Sequence, residues 1–192
     1  MKRSLILVSL IGCSFTPPTP IAYVRKGPAY GQLVTPLAAM PVECARTTMG
    51  CQPGYKVAVA AATRMAIEFG GYSLVDSELI NVELQRRQTH TENDSTTTEL
   101  TGRTWLDLPE QQRRDLLMAM GIRGIVTTTI AMGIPQGMAG QRTVTVAIAV
   151  SRLADDKLVW QSQCGVETGD FHSEPQAIDL ATRCALESGS LW

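Results

Sequence analysis

The sequence predicts an α+β domain, a mixed β-sheet with helices packed mainly on one face, in the order β-α-β-α-α-β-β-β-α. Three observations predict it. Runs rich in β-branched residues, such as residues 122–132 (IRGIVTTTIAM), alternate with runs whose apolar residues recur at helical spacing. Glycines stand where helical patterns stop, at Gly70-Gly71 and at Gly121. Two late apolar runs are joined by Ala154-Asp155-Asp156, a turn of hairpin length.

Taken in order, residues 32–42 (QLVTPLAAMPV) form a first strand, bent or placed at an edge by Pro36 and Pro41. Residues 43–55 carry Gly50, Pro53 and Gly54 and read as a loop. Residues 56–69 place Val57, Ala60, Ala61, Met65 and Phe69 near helical spacing, and the many alanines imply close packing on a sheet. Residues 72–76 (YSLVD) are a short strand. Residues 77–88 begin with a capping-type Ser77 followed by Glu78, and Leu79, Ile80, Val82 and Leu84 suit a second helix. Residues 89–103 are polar and Thr-rich, a long loop. A helix over 107–120 turns Leu108, Leu116, Leu117 and Met120 inward. Strands follow at 122–132, 141–153 and 157–167. A closing helix over 174–187 has Ala177, Ile178, Ala181, Cys184 and Ala185 on one side.

Composition narrows the function. The 192 residues hold 17 Lys+Arg against 18 Asp+Glu, a formal charge of −1, which argues against a nucleic-acid binder. A hydrophobic fraction of 44% supplies one packed core and argues against disorder. No apolar run reaches the roughly 18 residues that cross a bilayer as a helix.

The amino terminus carries an address. Lys2 and Arg3 precede a short apolar stretch that ends at Gly12-Cys13. Leu10 to Cys13 (LIGC) resembles the lipobox of bacterial lipoproteins, which implies acylation of the Cys13 thiol and cleavage before it. The domain plan is then a signal peptide over 1–12, a lipidated Cys13 with a Pro-rich tether over 13–31, and a periplasmic domain over 32–192. A structured arm packed on the domain is the other reading of the tether stretch, supported by Ile21, Tyr23, Val24 and Tyr30. Two or three acyl chains make release from a membrane negligible. Ser14 after the cysteine, by analogy with enteric lipoproteins, favours the outer membrane.

Acylation of Cys13 leaves Cys44, Cys51, Cys164 and Cys184. Four cysteines in an oxidising compartment allow three connectivities, and Cys44–Cys51 with Cys164–Cys184 is the preferred one. Free buried thiols are the alternative. Neither spacing is that of a Cys-x-x-Cys redox motif, and His90 and His172 stand apart from any metal-ligand spacing. No metal and no cofactor are expected.

Catalytic patterns are absent from the sequence: no Gly-x-Ser-x-Gly elbow, no phosphate-binding loop, no His-Glu-x-x-His. Asp76 and Glu78 are candidate carboxylates, more simply explained as helix-end charges. Arg86-Arg87 and Arg113-Arg114 read as solvated helix faces, and Asp155-Asp156 as a turn. Two stretches are candidate interfaces: the apolar loop with Met132, Ile134, Pro135 and Met138, and the polar stretch 89–103.

The succession of short patterns also resembles a family. Leu37 to Val42 (LAAMPV), the helix ending in Gly-Gly before Tyr72 to Asp76 (YSLVD), a helix ending near Gln85 to Gln88 (QRRQ), Met120 to Val126 (MGIRGIV), and the hairpin from Val144 to Trp160 resemble the TolB amino-terminal domain group over residues 33–188. That group includes the curli secretion channel, the peptidoglycan-synthase activator lipoprotein and a flagellar outer-membrane lipoprotein. The resemblance implies a periplasmic module that works by protein contacts and is not an enzyme, with no catalytic residues carried over. One departure matters. The channel member inserts membrane hairpins, whereas residues 89–103 are nearly all polar and 133–140 too few to span. The expectation is an outer-membrane lipoprotein recruiting or regulating an envelope complex. A self-associating subunit of a secretion or surface-assembly apparatus is the alternative, and an envelope hydrolase a distant third.

Overall fold

The computed structural model describes residues 19–31, 34–45, 51–91, 104–136, 140–169 and 172–188. The strands are β1 (Ile21–Lys26), β2 (Leu37–Ala39), β3 (Glu43–Cys44), β4 (Leu74–Val75), β5 (Gly124–Met132), β6 (Thr143–Arg152) and β7 (Leu158–Glu167). The helices are α1 (Pro53–Phe69), α2 (Ser77–Thr91), α3 (Glu110–Ala119) and α4 (Glu174–Ser188), with a 3-10 turn at Trp105–Asp107 before α3. The chain is α+β with one mixed sheet in the order β1-β7-β6-β5-β2-β4, and β3 also lies on β5.

β5, β6 and β7 form an antiparallel meander, because each strand alternates apolar and polar side chains and the connections are short. Their inward residues, among them Val126, Ile130, Val146, Ile148 and Cys164, make the main core with α1 and α4. β2, β3 and β4 run parallel to β5 or to each other. The first expected strand, 32–42, is thus real only over 37–39, and the expected loop 43–55 opens with the short strand β3. Pro41 has no N–H to donate, so the ladder along β5 stops after β2 and resumes at β3.

The parallel pairs decide where the helices go. The crossover from β2 to β4 carries α1, and the crossover from β4 back past β2 to β5 carries α2 and α3. Two right-handed crossovers that move in opposite directions along a sheet put their helices on opposite faces. Leu37 joins the core under α1 and α4, while its neighbour Ala38 joins a second core with Ile80, Leu84, Trp105 and Leu117. Successive strand residues point to opposite faces, so the two cores lie on either side of β2. The second helical group covers only the β4-β2-β5 end of its face.

The expected tether over 13–31 does not hold from Ile21 on. Residues 21–26 form β1, pairing antiparallel with β7 from Ile21 opposite Gly165 to Lys26 opposite Trp160. The arm reading applies there through backbone pairing, Ala22 opposite Cys164 and Val24 opposite Ser162, while Ile21, Tyr23 and Tyr30 stay exposed and Pro20 and Gly27 bound the strand. Gly27 closes the arm: a Cβ on it would meet the Leu158 carbonyl oxygen at 1.9 Å, and its N–H donates to the Val159 carbonyl. The Lys26 ammonium lies 4.3 Å from the centre of the Tyr30 ring. Residues 1–18, with the signal stretch and Cys13, lie outside the described residues.

Cys44 is bonded to Cys51, tying β3 to the start of α1. Cys164 is bonded to Cys184, tying β7 to α4.

Candidate functional site

The carboxylates come first, since a hydrolase would need one with a raised pKa. Asp76 pairs with Arg64, and the Arg64 hydrogen bond holds its carboxyl below the ordinary value. Arg64 also reaches Glu68 at 3.0 Å. Glu78 is exposed at the start of α2. Ser77, expected as a cap, accepts a hydrogen bond of 2.6 Å from the Trp105 indole N–H. Arg64, Glu68 and Asp76 are thus bound to one another, and Ser77 to Trp105, in ways that serve the fold.

The basic pairs behave likewise. Arg86 and Arg87 both bind Glu83, at 2.8 and 2.9 Å, and hold its carboxyl down to about 2. Arg114 pairs with Asp156 and donates to the Leu153 carbonyl at 3.0 Å. Arg152 and Lys157 grip Asp155 across the β6–β7 turn, and the Arg152 hydrogen bond leads in lowering its pKa. The expected turn is there, with Asp156 at φ 54°.

A cleft of about 540 Å³ opens at one end of the sheet, lined by Arg142, Thr168, His172, Ser173 and Glu174. Arg142 pairs with Glu174, and the Ser173 backbone N–H donates to Gln176 Oε1 at 2.9 Å, the reciprocal half of a capping box at the start of α4. Among the described residues no nucleophile in this cleft is paired with a base. Among the described residues no group of three or more His, Cys, Asp or Glu could hold a metal ion, and no helix is long and apolar enough to cross a membrane.

The expected interface loop is split. Met132 is buried in the main core, so it belongs to the fold and not to a docking surface. It is the last residue of β5 and shares the inward parity of Val126 and Ile130. Ile134 is 78% exposed and Pro135 is exposed beside it. Met138, His90's side chain and residues 92–103 lie outside the described residues.

No family model matches the chain, and no curated protein matches it. Among solved structures it is similar to a PelC dodecamer from Paraburkholderia phytofirmans, at 10% identity over 88% of this chain and 94% of that one, TM-score 0.49. It is also similar to lipoprotein GNA1162 from Neisseria meningitidis, at 12% identity over 79% and 94%, TM-score 0.45. A third is the LpoB C-terminal domain from Salmonella enterica, at 10% identity over 69% and 82%, TM-score 0.42. Identity at this level assigns no role to any residue of this chain.

The surface that stands out is on α1. Its buried line is Val59, Thr63 and Ile67. The residues expected to face inward are the outward ones: Val57 is 70% exposed, Met65 71% and Phe69 92%, with Ala60 and Ala61 exposed between them. This is a correction with a clear cause. α1 is apolar on two sides, so its periodicity fits two registers, and the shorter residues of the other register took the core. Beside the ridge a groove of about 440 Å³ runs to α4, floored by Ala62, Ala66 and Leu186 and rimmed by the Asp179–Arg183 ion pair. The signal in the sequence is the excess itself, since one buried face does not need that many apolar positions.

A second uncovered surface lies across the sheet. On the face away from α1 and α4, rows run from Ile21 through Gly165 and Thr145 to Ala131, and from Tyr23 through Gln163 and Ala147 to Thr129. These side chains are mostly small, belong to neither core, and are exposed or half-exposed.

Proposed function

We propose that the chain is an outer-membrane lipoprotein, acylated at Cys13, whose periplasmic domain is a non-enzymatic protein-interaction or assembly module of an envelope complex. The observation that carries the reading is the apolar outer ridge of α1, Val57, Ala61, Met65 and Phe69, displayed in a domain whose carboxylates and guanidinium groups are largely engaged in ion pairs. Covering a large apolar side chain contributes roughly 1.5–3 kcal/mol, so such a ridge favours a partner over water. The LIGC stretch supports the anchor, and eight Cα-to-Cα steps lead from Cys13 to Ile21. At about 3.3 Å each they reach at most about 26 Å, which keeps the domain close to the bilayer.

The test pairs fractionation with capture. The full chain is expected in the outer-membrane fraction with acyl mass on Cys13, and Cys13→Ala in the soluble periplasm. A photo-crosslinker at Met65 is expected to trap a specific envelope protein, or another copy of the chain. Native protein with an intact Met1 and no added lipid would overturn the anchor. A Met65 adduct profile equal to that of bulk membrane proteins would overturn the interaction role. The alternative reading, a self-associating subunit, is favoured by the presence of two uncovered faces on one domain.

A further inference from the structure

The exposed turn after β5 and the point where the chain enters β1 lie at the same end of the molecule. β1 starts at that end, with Ile21 opposite Gly165 near the close of β7. β5 stops there, because β5 and β7 are each antiparallel to β6 and so run the same way. Past Met132 the chain turns through Gly133, Ile134, Pro135 and Gln136, and Gln136 bridges to Gln141 on the return. Ile134 and Pro135 are exposed at the tip of this turn. Gln136, Gln141, Thr168 and His172 line the clefts beside it, a polar rim round an apolar point. Ile21 is level with Ala131 through Gly165 and Thr145, so Ile134 stands at most about 10 Å further out, at 3.3 Å per residue. The steps from Cys13 to Ile21 cover up to about 26 Å, enough to set that tip on the surface that holds Cys13. α1 leaves the same end, since β3 runs into it parallel to β5, and Phe69 closes α1 at the other end.

From this convergence we infer that the tip made by Ile134 and Pro135 rests in the headgroup layer of the bilayer to which Cys13 is anchored. The inference rests on the lipid-anchor reading and adds a second, non-covalent point of contact. Two apolar side chains alone bind a bilayer weakly. The acyl chains hold them within reach of it, so the second contact forms as an intramolecular step at high effective concentration. Charge sets the depth. The Gly133 N–H donates to the Thr143 carbonyl, and Thr143 is opposite Glu167, so the exposed Glu167 carboxylate is level with Gly133, one residue behind Ile134. Carrying that carboxylate into hydrocarbon is costly, which stops the tip among the headgroups. The two contacts lie on different strands. β1 and β5 are separated by β7 and β6, about 14 Å at 4.8 Å per strand, so together they remove the rotation that one tether leaves free. The domain then stands upright, with Phe69 and the end of α1 turned away from the membrane.

The experiment uses the full acylated chain in vesicles of phosphatidylethanolamine and phosphatidylglycerol. The other four cysteines are joined in disulfides, so an introduced cysteine takes a thiol-reactive NBD dye. The dye is placed at Gln136→Cys, beside an intact Ile134, or at Phe69→Cys. Vesicles carry a lipid with a nitroxide quencher high on its acyl chain or deep in the bilayer. The dye at residue 136 is expected to be quenched at least twofold more by the shallow nitroxide than by the deep one, and the dye at residue 69 by neither. Adding Ile134→Asp to the Gln136→Cys chain is expected to reduce the shallow quenching at least twofold. An unchanged melting temperature shows that these surface variants fold. Equal quenching at residues 136 and 69, or none at either, would overturn the inference. Quenching at residue 136 that ignores Ile134→Asp would overturn it too, since the tether alone would then account for it. The acyl mass on Cys13 is read on the same protein: with that mass present and the tip unquenched, the anchor stands and the docked tip falls, whereas a chain without that mass overturns both.

Discussion

Trp105 is fully buried, and both of its nitrogens have side-chain partners. Its backbone N–H donates to Asn81 Oδ1 at 2.9 Å and its indole N–H to Ser77 Oγ, so a polar clasp holds the start of α2 to the turn before α3. Ser77→Ala removes the acceptor and leaves a buried indole N–H unsatisfied. We expect a loss of about 1–3 kcal/mol in urea unfolding, and a smaller loss when Trp105→Phe is added, because the orphaned donor is then gone. Additive losses would show that the hydrogen bond does not matter. At this scale the sequence was legible in chemistry but not in direction. Ser77 was recognisable as a residue that bonds near a helix start, but its partner lies 28 positions away. Met132 and Ile134 looked alike as members of an apolar loop, and the parity of β5 sends one inward while the other lies beyond the strand.

α2 shows what one carboxylate does for an element. Glu83 is held by Arg86 and Arg87, and its carboxyl lies at about 2 instead of the ordinary 4.5. A carboxyl depressed on folding stabilises above its unfolded value and loses that contribution as pH falls through the folded one. The melting temperature of the wild-type chain is therefore expected to exceed that of Glu83→Gln at pH 7, with the gap closing between about pH 4.5 and about pH 2. A gap that persists at the acid end of that window would show that charge is not the cause. The helices and the strands β2, β4, β5, β6 and β7 were legible in existence and order, since glycine stops, proline breaks and β-branched runs are local signals, while β3 lay in a stretch read as a loop. Which face of α1 is buried was not. Two apolar stripes on one helix leave the choice to whatever the sheet and α4 offer. Nor was β1 marked out, because a strand completed only by pairing with residues 160–165 carries little local signature.

The whole molecule is closed by covalent links that differ in span. Cys44–Cys51 encloses a separation of 7 residues and Cys164–Cys184 one of 20. In the chain-entropy account the first contributes about 2 kcal/mol and the second about 3. Cys164→Ala with Cys184→Ala is expected to lower urea stability more than Cys44→Ala with Cys51→Ala. The reverse order would show that local packing, not loop closure, governs both. The mixed sheet was legible as a class, but the split of the helices between two faces follows from crossover handedness, which appears only once the strand order is known.

The placement of β1 has a mechanical consequence. The strand nearest the amino terminus lies antiparallel on β7, so tension arriving through residue 20 acts along its length. Such a load is shared by the whole ladder at once, where a perpendicular pull would open it one rung at a time. In the lipid-anchored protein proposed above, the segment leading from Cys13 would take the strain in shear, and the core behind it would be shielded.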